Sequence, residues 1–451
     1  IPRQEVVRSG SMSTMPGNKR PKLDAQSLKA LNRAQPSAPP SKPEFTTNID
    51  PTQQSDAALG LSLPPPKPPT QINARDLKGL KYFNLINPLL EHLHECGTQR
   101  DRAGNRILHY DQYAALVLLF YFNPIIKGLR GITQASQLER LQKELGCSRA
   151  SLGSLSEAAR VFDSEPLREI IGELAHKALP ITVGKEAEAL RGLTAVDGSL
   201  LPALPKMAWA LWQDDEHRAA KMHVHFDVFK GAPMDVTVTH GSGSENQQLR
   251  NMLLPKRLYV IDRGYAEYQL FQDIIDAGSS FIGRIKDNAA FEVLEERPIT
   301  PEAKAAGVIR DAIMKRLGTE HHKNVLKQSV RIVIVVTGKT DSNGQPDVLI
   351  LATDCLDLAA ELVALAYKYR WSVELFFRWL KCILGCRHLL ATNQNGVEIQ
   401  VYLGIIASLL ISLWTGKKPT QRTLEMLQFY FSGWATWEEL QAHIEKLKDH
   451  K

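Results

Sequence analysis

RLYVIDRGY, residues 257–265, joins a short apolar strand to an aspartate and a glycine-containing turn. The same arrangement occurs in GLTAVDGSLLPAL, residues 192–204, where Asp197 follows an apolar run and precedes Gly198. A carboxylate at the end of a buried strand is open to solvent on one side, which suits a hard divalent cation. An aspartate that starts a turn or caps a helix would leave the same pattern. The occurrence of two equivalent settings, at Asp197 and Asp262, weakens the turn or cap interpretation without excluding it.

The segments around these aspartates alternate between strand and helix patterns, which predicts a mixed α/β domain. Residues 221–231 and 232–241 predict two strands joined by a glycine-containing turn. An amphipathic helix at 268–278 and a strand at 279–288 follow the second aspartate. Residues 288–350 break this order with a charged helical piece and further strands.

The flanking regions differ in composition. Residues 1–72 are rich in Pro, Ser, Gln and Lys and predict a disordered tail. Within it, KRPKL at 19–23 is a nuclear import signal, a basic patch that contacts phosphate, or a solvated charge cluster. Residues 73–185 repeat apolar residues at helical spacing and predict either a DNA-binding or dimerisation module or a plain helical support domain. Residues 416–451 predict a C-terminal helical segment.

The totals narrow the class of protein. A net charge of +6 and a pI near 8.9 are compatible with a nucleic-acid partner without requiring one. Five scattered cysteines do not form a disulfide framework and indicate a reducing compartment. The polar N-terminal stretch predicts no secretory leader. The longest apolar run, VYLGIIASLLISLW at 401–414, is too short to span a bilayer, so it predicts a core helix and no membrane partner.

YKYRWSVELFFRWLK, residues 367–381, places one acid among several cations and aromatic residues. On a regular helix, its charged residues from 370 to 381 fall within roughly an 80° arc that includes Glu374. Apolar side chains cover most of the remaining circumference, which predicts a largely buried helix with one open charged face. A surface stripe of weak ion pairs would give the same pattern. The other interpretation is a metal-binding acid beside phosphate-binding cations.

The same stretch fits the spacing Y-x2-R-x3-E-x6-K, with Tyr367, Arg370, Glu374 and Lys381 at the four fixed positions. Together with VDGS and VIDRGY, it resembles the bacterial insertion-sequence transposases that carry a DDE triad and a Y-R-E-K signature. The resemblance covers about residues 180–415.

The resemblance implies an α/β fold with a ribonuclease H-like catalytic core, a mixed sheet flanked by helices, at residues 186–415. A strand-rich segment at about 288–350 would be inserted between the second aspartate and the glutamate. The helical domain at 73–185 and the disordered tail would precede this core.

The resemblance also implies roles for individual residues. Asp197, Asp262 and Glu374 would be catalytic and would hold two Mg²⁺ ions, for which Mn²⁺ can substitute. Tyr367 and the two signature cations, Arg370 and Lys381, would contact transposon-end DNA. Further cations on the stripe or at the strand ends are weaker candidates for DNA binding: Arg378, Arg263, Arg284 and Lys286.

The implied function is a DNA transposase that cuts at terminal inverted repeats and joins 3′ ends to target DNA. Its partners would be double-stranded transposon ends and target DNA, with a homodimer in a synaptic complex. The expected location is the bacterial cytoplasm at the nucleoid, or a nucleus if residues 19–23 are used in a eukaryotic host. A ribonuclease H-like nuclease without strand transfer, a catalytically silent DNA-binding derivative and a zinc-binding regulator remain as alternatives.

Four other signals are weaker. HVHFD at 223–227 is either a metal cluster or an ordinary strand, and CILGCRH at 382–388 is either a zinc site or buried thiols. GSGSENQQL at 241–249 predicts a flexible connection, with Glu245 able to lie near the site. Residues 288–366 contain no tryptophan to stack on a flipped base, so the sequence leaves a hairpin intermediate undecided.

Overall fold

In a computed structural model of the chain, residues 90–449 are described. The exceptions are 92, 95, 97–98, 102–103, 105, 214–216, 319–325, 341–343 and 345. The predicted disordered tail, its KRPKL cluster and the first part of the predicted helical region lie outside the described residues.

A nine-stranded mixed sheet runs through the described part of the chain. Its strands are β1 Leu193–Pro202, β2 Ala219–Asp227, β3 Ala232–His240, β4 Leu258–Ile261, β5 Ser280–Arg284, β6 Phe291–Glu296, β7 Val308–Leu317, β8 Val330–Thr340 and β9 Pro346–Thr353. Their spatial order is β3-β2-β1-β4-β5-β9-β8-β7-β6. β4 pairs in parallel with both β1 and β5, and the other pairings are antiparallel.

Helices precede the sheet, connect its strands and follow it. They are α1 Tyr110–Phe122, α2 Leu129–Ala135, α3 Glu139–Leu145, α4 Leu152–Val161, α5 Glu165–Lys177, α6 Lys185–Ala189, α7 Glu245–Asn251, α8 Tyr268–Asp276, α9 Pro301–Ala305, α10 Ala360–Tyr369, α11 Trp371–Arg378, α12 Gln394–Thr415, α13 Gln421–Phe431 and α14 Trp437–Asp449. The described residues also contain a 3₁₀ turn at Arg263–Tyr265 and a π-helical turn at Trp379–Ile383. The mixed α/β class with helices flanking the sheet is confirmed.

The apolar patterns explain where the core lies. α12 is apolar around its circumference and packs on α1, α4, α5 and β3. By length and composition α12 could cross a membrane, but 89% of its apolar window is buried inside the protein. The predicted core helix is therefore confirmed, but the expectation that it is too short to span a bilayer was wrong, because α12 extends beyond the apolar run at both ends. The early helices and one face of the sheet share this apolar cluster, while α8 and strands β7 and β8 contribute to a second cluster.

Two local predictions were wrong. The glycine-rich stretch at 241–249 is not a flexible connection throughout, because α7 begins within it at Glu245. Ser244 caps this helix by accepting a hydrogen bond from the backbone N–H of Gln247. The stretch 367–381 is not one regular helix. It comprises the end of α10, then α11, and then the π-helical turn, which changes the direction of the side chains after Arg378.

A buried ion pair joins the strands after β5 to the start of α10. The Arg331 guanidinium on β8 donates to both carboxylate oxygens of Asp311 on β7, at 2.7 and 2.6 Å. The same guanidinium donates to the carbonyls of Leu356 and Leu358, which lie just before α10. Arg331 is 1% exposed, so the pair is removed from water.

Removing one partner of this ion pair should destabilise the fold more than replacing both partners with apolar residues. We expect Arg331→Met to lower the free energy of unfolding by about 3–5 kcal/mol, because it leaves the Asp311 charge buried without a partner. The double variant Arg331→Met, Asp311→Leu should recover much of that loss. Urea unfolding of the three proteins measures this, and equal stability of the single variant and the wild type would contradict the assignment.

Candidate active site

The pairing of β1 with β4 places the two predicted aspartates at the same level. The parallel register joins Leu193 to Leu258 and Ala195 to Val260. Continued by two residues, it sets Asp197 level with Asp262. β4 ends at Ile261, so Asp262 follows a strand as predicted. Asp197 instead lies in the middle of β1, opposite Val224 on β2, which corrects its expected position at a strand end.

The environment of β1 changes at the first aspartate. The first four residues of β1 are buried, whereas the four that begin with Asp197 are partly exposed. Asp197 accepts a hydrogen bond from the Gly198 N–H at 2.8 Å. Burial raises the pKa of the Asp197 carboxyl to about 6, and the negative charges of Glu245 and Glu374 add to it. The Gly198 N–H and the Arg370 guanidinium act in the opposite direction.

Tyr367 of α10 contacts the second aspartate. Its hydroxyl donates a hydrogen bond to Asp262 Oδ1 at 3.2 Å, and the Arg263 backbone N–H donates to the same oxygen at 2.6 Å. Burial raises the pKa of the Tyr367 phenol to about 12, and the Asp262 charge contributes. The neutral phenol therefore stays a donor, and it fixes one carboxylate oxygen of Asp262.

The third acid is paired with the signature arginine. Arg370 lies between α10 and α11, and its guanidinium is 2.7 Å from Glu374 Oε1. The two side chains are 12% and 25% exposed, so the pair is less screened than an ordinary surface pair. In this structure the Glu374 carboxylate is therefore partly buried and paired with Arg370, rather than exposed on an open charged face.

The signature lysine reaches the strand that carries the first aspartate. Lys381 lies in the π-helical turn and donates to Ser199 Oγ at 2.8 Å and to the Leu200 carbonyl at 3.4 Å. π-Helical turns occur frequently at functional sites because they redirect side chains. Each signature residue therefore contacts a different acid or its strand.

Among the weaker DNA-binding candidates, Arg263 contacts an acid of the centre through its backbone N–H, which donates to Asp262 Oδ1. The guanidinium groups of Arg263 and Arg284 both pair with the Asp287 carboxylate, with N–O distances of 3.5 and 3.7 Å. Arg378 and Lys286 are exposed. Their proposed roles remain predictions.

The discounted histidines lie within β2. His223 Nε2 is 2.8 Å from Thr239 Oγ1, and Asp227 binds the Arg257 guanidinium at 2.7 Å. His225 is 1% exposed, and neither of its ring nitrogens has a hydrogen-bond partner. Among the described residues no group of three His, Cys, Asp or Glu side chains could hold a metal ion, which favours the strand interpretation of HVHFD. Cys386 is buried as expected, but Cys382 is exposed, so the buried-thiol interpretation was wrong for Cys382.

Sequence reasoning gave too little weight to Glu245. Its carboxylate pairs with Lys221 at 3.1 Å and influences Asp197. The signal that could have found it is the Ser244-Glu245 pair, because a serine cap followed by an acid predicts a helix start directly after β3.

The donor set fits a hard divalent cation chemically. Carboxylate oxygens such as those of Asp197, Asp262 and Glu374 are the ligands that Mg²⁺ prefers. Burial is the main cause of the raised pKa of Asp197, and the negative charges of Glu245 and Glu374 add to it. Within the described ranges of 90–449, no three His, Cys, Asp or Glu side chains lie close enough to hold an ion together. In this structure the Tyr367 hydroxyl donates to Asp262, and the Arg370 guanidinium pairs with Glu374.

Residues 188–410 match the family model described as a transposase DDE domain. These residues belong to the transposase DDE family. The matched range includes all three acids and the four signature positions. The resemblance to bacterial insertion-sequence DDE transposases is therefore confirmed, whereas the Y-R-E-K signature itself remains a prediction.

Known transposases resemble the DDE domain and its surroundings. The chain is 28% identical over 239 residues to a protein named as transposase y4zB from Sinorhizobium fredii, covering 52% of this chain and 64% of that protein. It is 28% identical over 237 residues to a protein named as the transposase of insertion sequence element IS5377 from Geobacillus stearothermophilus, covering 51% and 59%. These alignments span less than two thirds of either relative.

Two further comparisons are more distant. A protein named as the transposase of element IS4SA from Synechocystis is 24% identical over 280 residues, covering 60% of this chain and 74% of that protein. The cryo-EM structure of the piggyBac transposase synaptic complex with hairpin DNA covers 82% of each chain at 10% identity, with a TM-score of 0.36. At that TM-score the structural likeness carries no argument.

Removing one negative charge from the site should stabilise the free protein. We expect Asp197→Asn to raise the free energy of unfolding by about 1–2 kcal/mol at neutral pH, because it relieves burial and repulsion of the carboxylate. Urea unfolding in EDTA measures this. Asp287→Asn, at an exposed acid, is the matched control and should change stability by less than about 0.5 kcal/mol. A destabilised Asp197→Asn protein would contradict the description of the site.

Proposed function

We propose that this chain is a DNA transposase that cuts at terminal inverted repeats and joins 3′ ends to target DNA. The observation that carries the proposal is the register of β1 and β4, which sets Asp197 level with Asp262 inside a DDE domain. Glu374 lies near enough to influence the Asp197 carboxyl electrostatically. Three acids on three elements therefore share one region.

The proposed core is ribonuclease H-like. Strands β1 to β5 would form it, and β6 to β9 would be the insertion, which extends the same sheet from the β5 edge. The last strand of the proposed insertion, β9, ends at Thr353. The C-terminal helices and the early helices pack on the core as support, and a DNA-binding role of the early helices is part of the proposal.

The acids would hold two Mg²⁺ ions, or Mn²⁺ in their place. When bound, the ions supply Lewis acidity to the attacking and leaving oxygens of an in-line phosphoryl transfer. The protein's contribution is positional. β1 and the residue that follows β4 would position the two aspartates, while α11, which packs on β1, would supply Glu374.

The signature residues would exchange partners when DNA binds. In the free protein Arg370 pairs with Glu374, and Lys381 donates a hydrogen bond to Ser199. A DNA phosphate would replace Glu374 and Ser199 as the acceptors of these two cations. Tyr367 would keep Asp262 oriented. The exposed cations Arg378, Arg263 and Lys286, with the partly buried Arg284, would contact the DNA backbone and give binding a steep salt dependence. A homodimer acting on two double-stranded ends in the bacterial cytoplasm completes the proposal.

Each acid should be required for cleavage but not for binding. We expect Asp197→Ala, Asp262→Ala and Glu374→Ala each to abolish Mg²⁺-dependent cutting of DNA that carries the inverted repeats flanking the gene. Gel-shift affinity for that DNA should stay largely intact, because the cations that bind phosphate remain. Asp276→Ala, at an exposed acid that pairs with Lys327, is the control and should cut normally.

The same assay separates the alternatives. A protein that cuts but does not join a precut end to a target plasmid is a nuclease without strand transfer. A protein that binds ends without nicking them is a silent derivative, and zinc in the purified protein would favour a regulator. Cutting by Glu374→Ala at the wild-type rate would show that the acid assignment is wrong.

Arg370 should compete with the cation for Glu374 in the free protein. We expect weak Mn²⁺ binding without DNA, and tighter binding by Arg370→Gln, because the variant frees the Glu374 carboxylate. The same variant should cut DNA more slowly, since it loses a phosphate contact. Titration of Mn²⁺ by electron paramagnetic resonance measures the affinity, with Arg378→Gln as a control on the same helix. Tight Mn²⁺ binding by the DNA-free wild type would contradict this competition.

A further inference from the structure

A cavity of about 350 Å³ lies at the amino ends of β1 and β4, whereas the aspartates lie toward their carboxyl ends. It opens between α6, the turn that joins β2 to β3, and the residues just before β1 and β4. Gly192 and Arg257 line it, and each precedes an aspartate by five residues. At about 3.3 Å per strand residue, the cavity is roughly 15 Å from the acids. A phosphate bound at the acids therefore cannot occupy it.

The lining of the cavity carries more positive than negative charge. Its charged residues are four cations and two acids: Arg191, Lys230, Lys256 and Arg257, with Asp227 and Glu188. The Arg257 guanidinium donates to the Asp227 carboxylate at 2.7 Å, so that acid is already neutralised. Cations that outnumber acids on a concave surface favour an anionic ligand.

Two of the cations are held in place by the fold. Arg257 Nε donates to Thr194 Oγ1 at 2.7 Å, so the guanidinium is fixed against β1 as well as β2. These contacts use two of its five N–H groups, and the others remain for a ligand. Lys230 Nζ donates to the carbonyls of Ala175 and His176 in the last turn of α5, at 3.0 and 3.3 Å. A ligand would therefore meet charges that are already positioned.

Lys256 has a strained backbone conformation. Its φ of 59° lies in the left-handed region, and no other non-glycine residue in the described part of the chain has a positive φ. Its carbonyl oxygen would be 2.9 Å from a Cβ atom added at Gly192, so the two segments approach closely. Glycine adopts this conformation without strain, and a lysine there favours a use for its side chain. The side chains of Lys256 and Arg191 are exposed, and neither pairs with an acid of the described ranges.

The cavity also has an apolar wall, formed by Pro180, Val183, Ala187 and Phe229. Val183 is 80% exposed, whereas Phe229 packs edge-on against Tyr369 of α10, with ring centroids 5.7 Å apart. Inorganic phosphate would leave this wall uncovered, and an apolar molecule would leave the cations without a counter-charge. A ring joined to a phosphate satisfies both parts of the lining.

We propose that this cavity binds a nucleotide, with its phosphate at Arg191, Lys256 and Arg257 and its base against the apolar wall. Charge-assisted hydrogen bonds from Arg and Lys are strong contacts to phosphate oxygens. Small-molecule sites occupy about 300–1,000 Å³, so this cavity suits one nucleotide rather than a duplex. The nucleotide is either free or the end of a single DNA strand, since both present a phosphate and a base. The inference goes beyond the proposed function, because neither cutting nor joining of DNA involves this cavity.

Deoxyadenosine monophosphate is the probe for this site, in calorimetric titrations of the full chain in EDTA without DNA. We expect it to bind at least about tenfold more tightly than deoxyadenosine, because the nucleoside lacks the phosphate. Arg191→Gln and Lys256→Gly should each weaken its binding at least about tenfold. Lys256→Gly should fold as well as the wild type, because glycine adopts the left-handed conformation without strain. Lys304→Gln, at an exposed lysine of α9, is the matched control and should bind like the wild type.

A short 5′-phosphorylated single strand of thymidines distinguishes the two sources of the nucleotide. Binding of the strand that is weakened in both variants assigns the site to a strand end. Binding of the free nucleotide alone, weakened in both variants, assigns it to free nucleotides, and either result supports the inference. A Kd above about 1 mM for both probes, or equal affinity in the wild type and both variants, would overturn it. Because the titrations contain neither metal nor end DNA, that result would leave the proposed function standing.

Discussion

The parallel pairing of β1 with β4 is the constraint on which the candidate site depends. Two adjacent parallel strands keep a fixed register, so residues at matched positions stay level along both strands. The apolar runs before the aspartates bury the paired part of each strand, and the acids begin where burial decreases. A shift of one residue in either strand would turn its side chains to the opposite face and separate the carboxylates.

The helices that carry the third acid are held to this pair of strands by polar contacts from each signature residue. Tyr367 contacts Asp262, Arg370 contacts Glu374, and Lys381 contacts Ser199. Partly buried carboxylates cannot remain close together without counter-charges or protons. In the free protein the cations supply part of that counter-charge, which leaves the acids oriented but their oxygens partly engaged. The same groups that would bind DNA thereby stabilise the centre before DNA binds.

Much of the fold could be predicted because its signals are local. The strand patterns of β1, β2, β4 and β5, and the apolar run within α12, were recognisable from alternation and length. The position of the three acids on separate elements also followed from their sequence context. Whether these acids are catalytic is a proposal that the family match supports and that only the variants can test.

The remaining features depend on contacts between distant residues. The π-helical turn that redirects Lys381 has no clear sequence signal, and it breaks the regular helical wheel drawn through that stretch. The pairing of Asp311 with Arg331 depends on how β7 and β8 align. The position of Glu245 at a helix start was not predicted, because the run of Gly and Ser before it resembles a loop. The last serine of that run, Ser244, caps the helix.

The central claim is that the acids of β1, β4 and α11 together hold the divalent cation beside the DNA backbone. Crystals of the protein grown with end DNA and Mn²⁺, measured at the manganese absorption edge, test it most directly. The account predicts anomalous density among the carboxylates of Asp197, Asp262 and Glu374, with Arg370 turned from Glu374 to a phosphate. Anomalous density only at other residues, with the Arg370–Glu374 pair intact beside bound DNA, would contradict it.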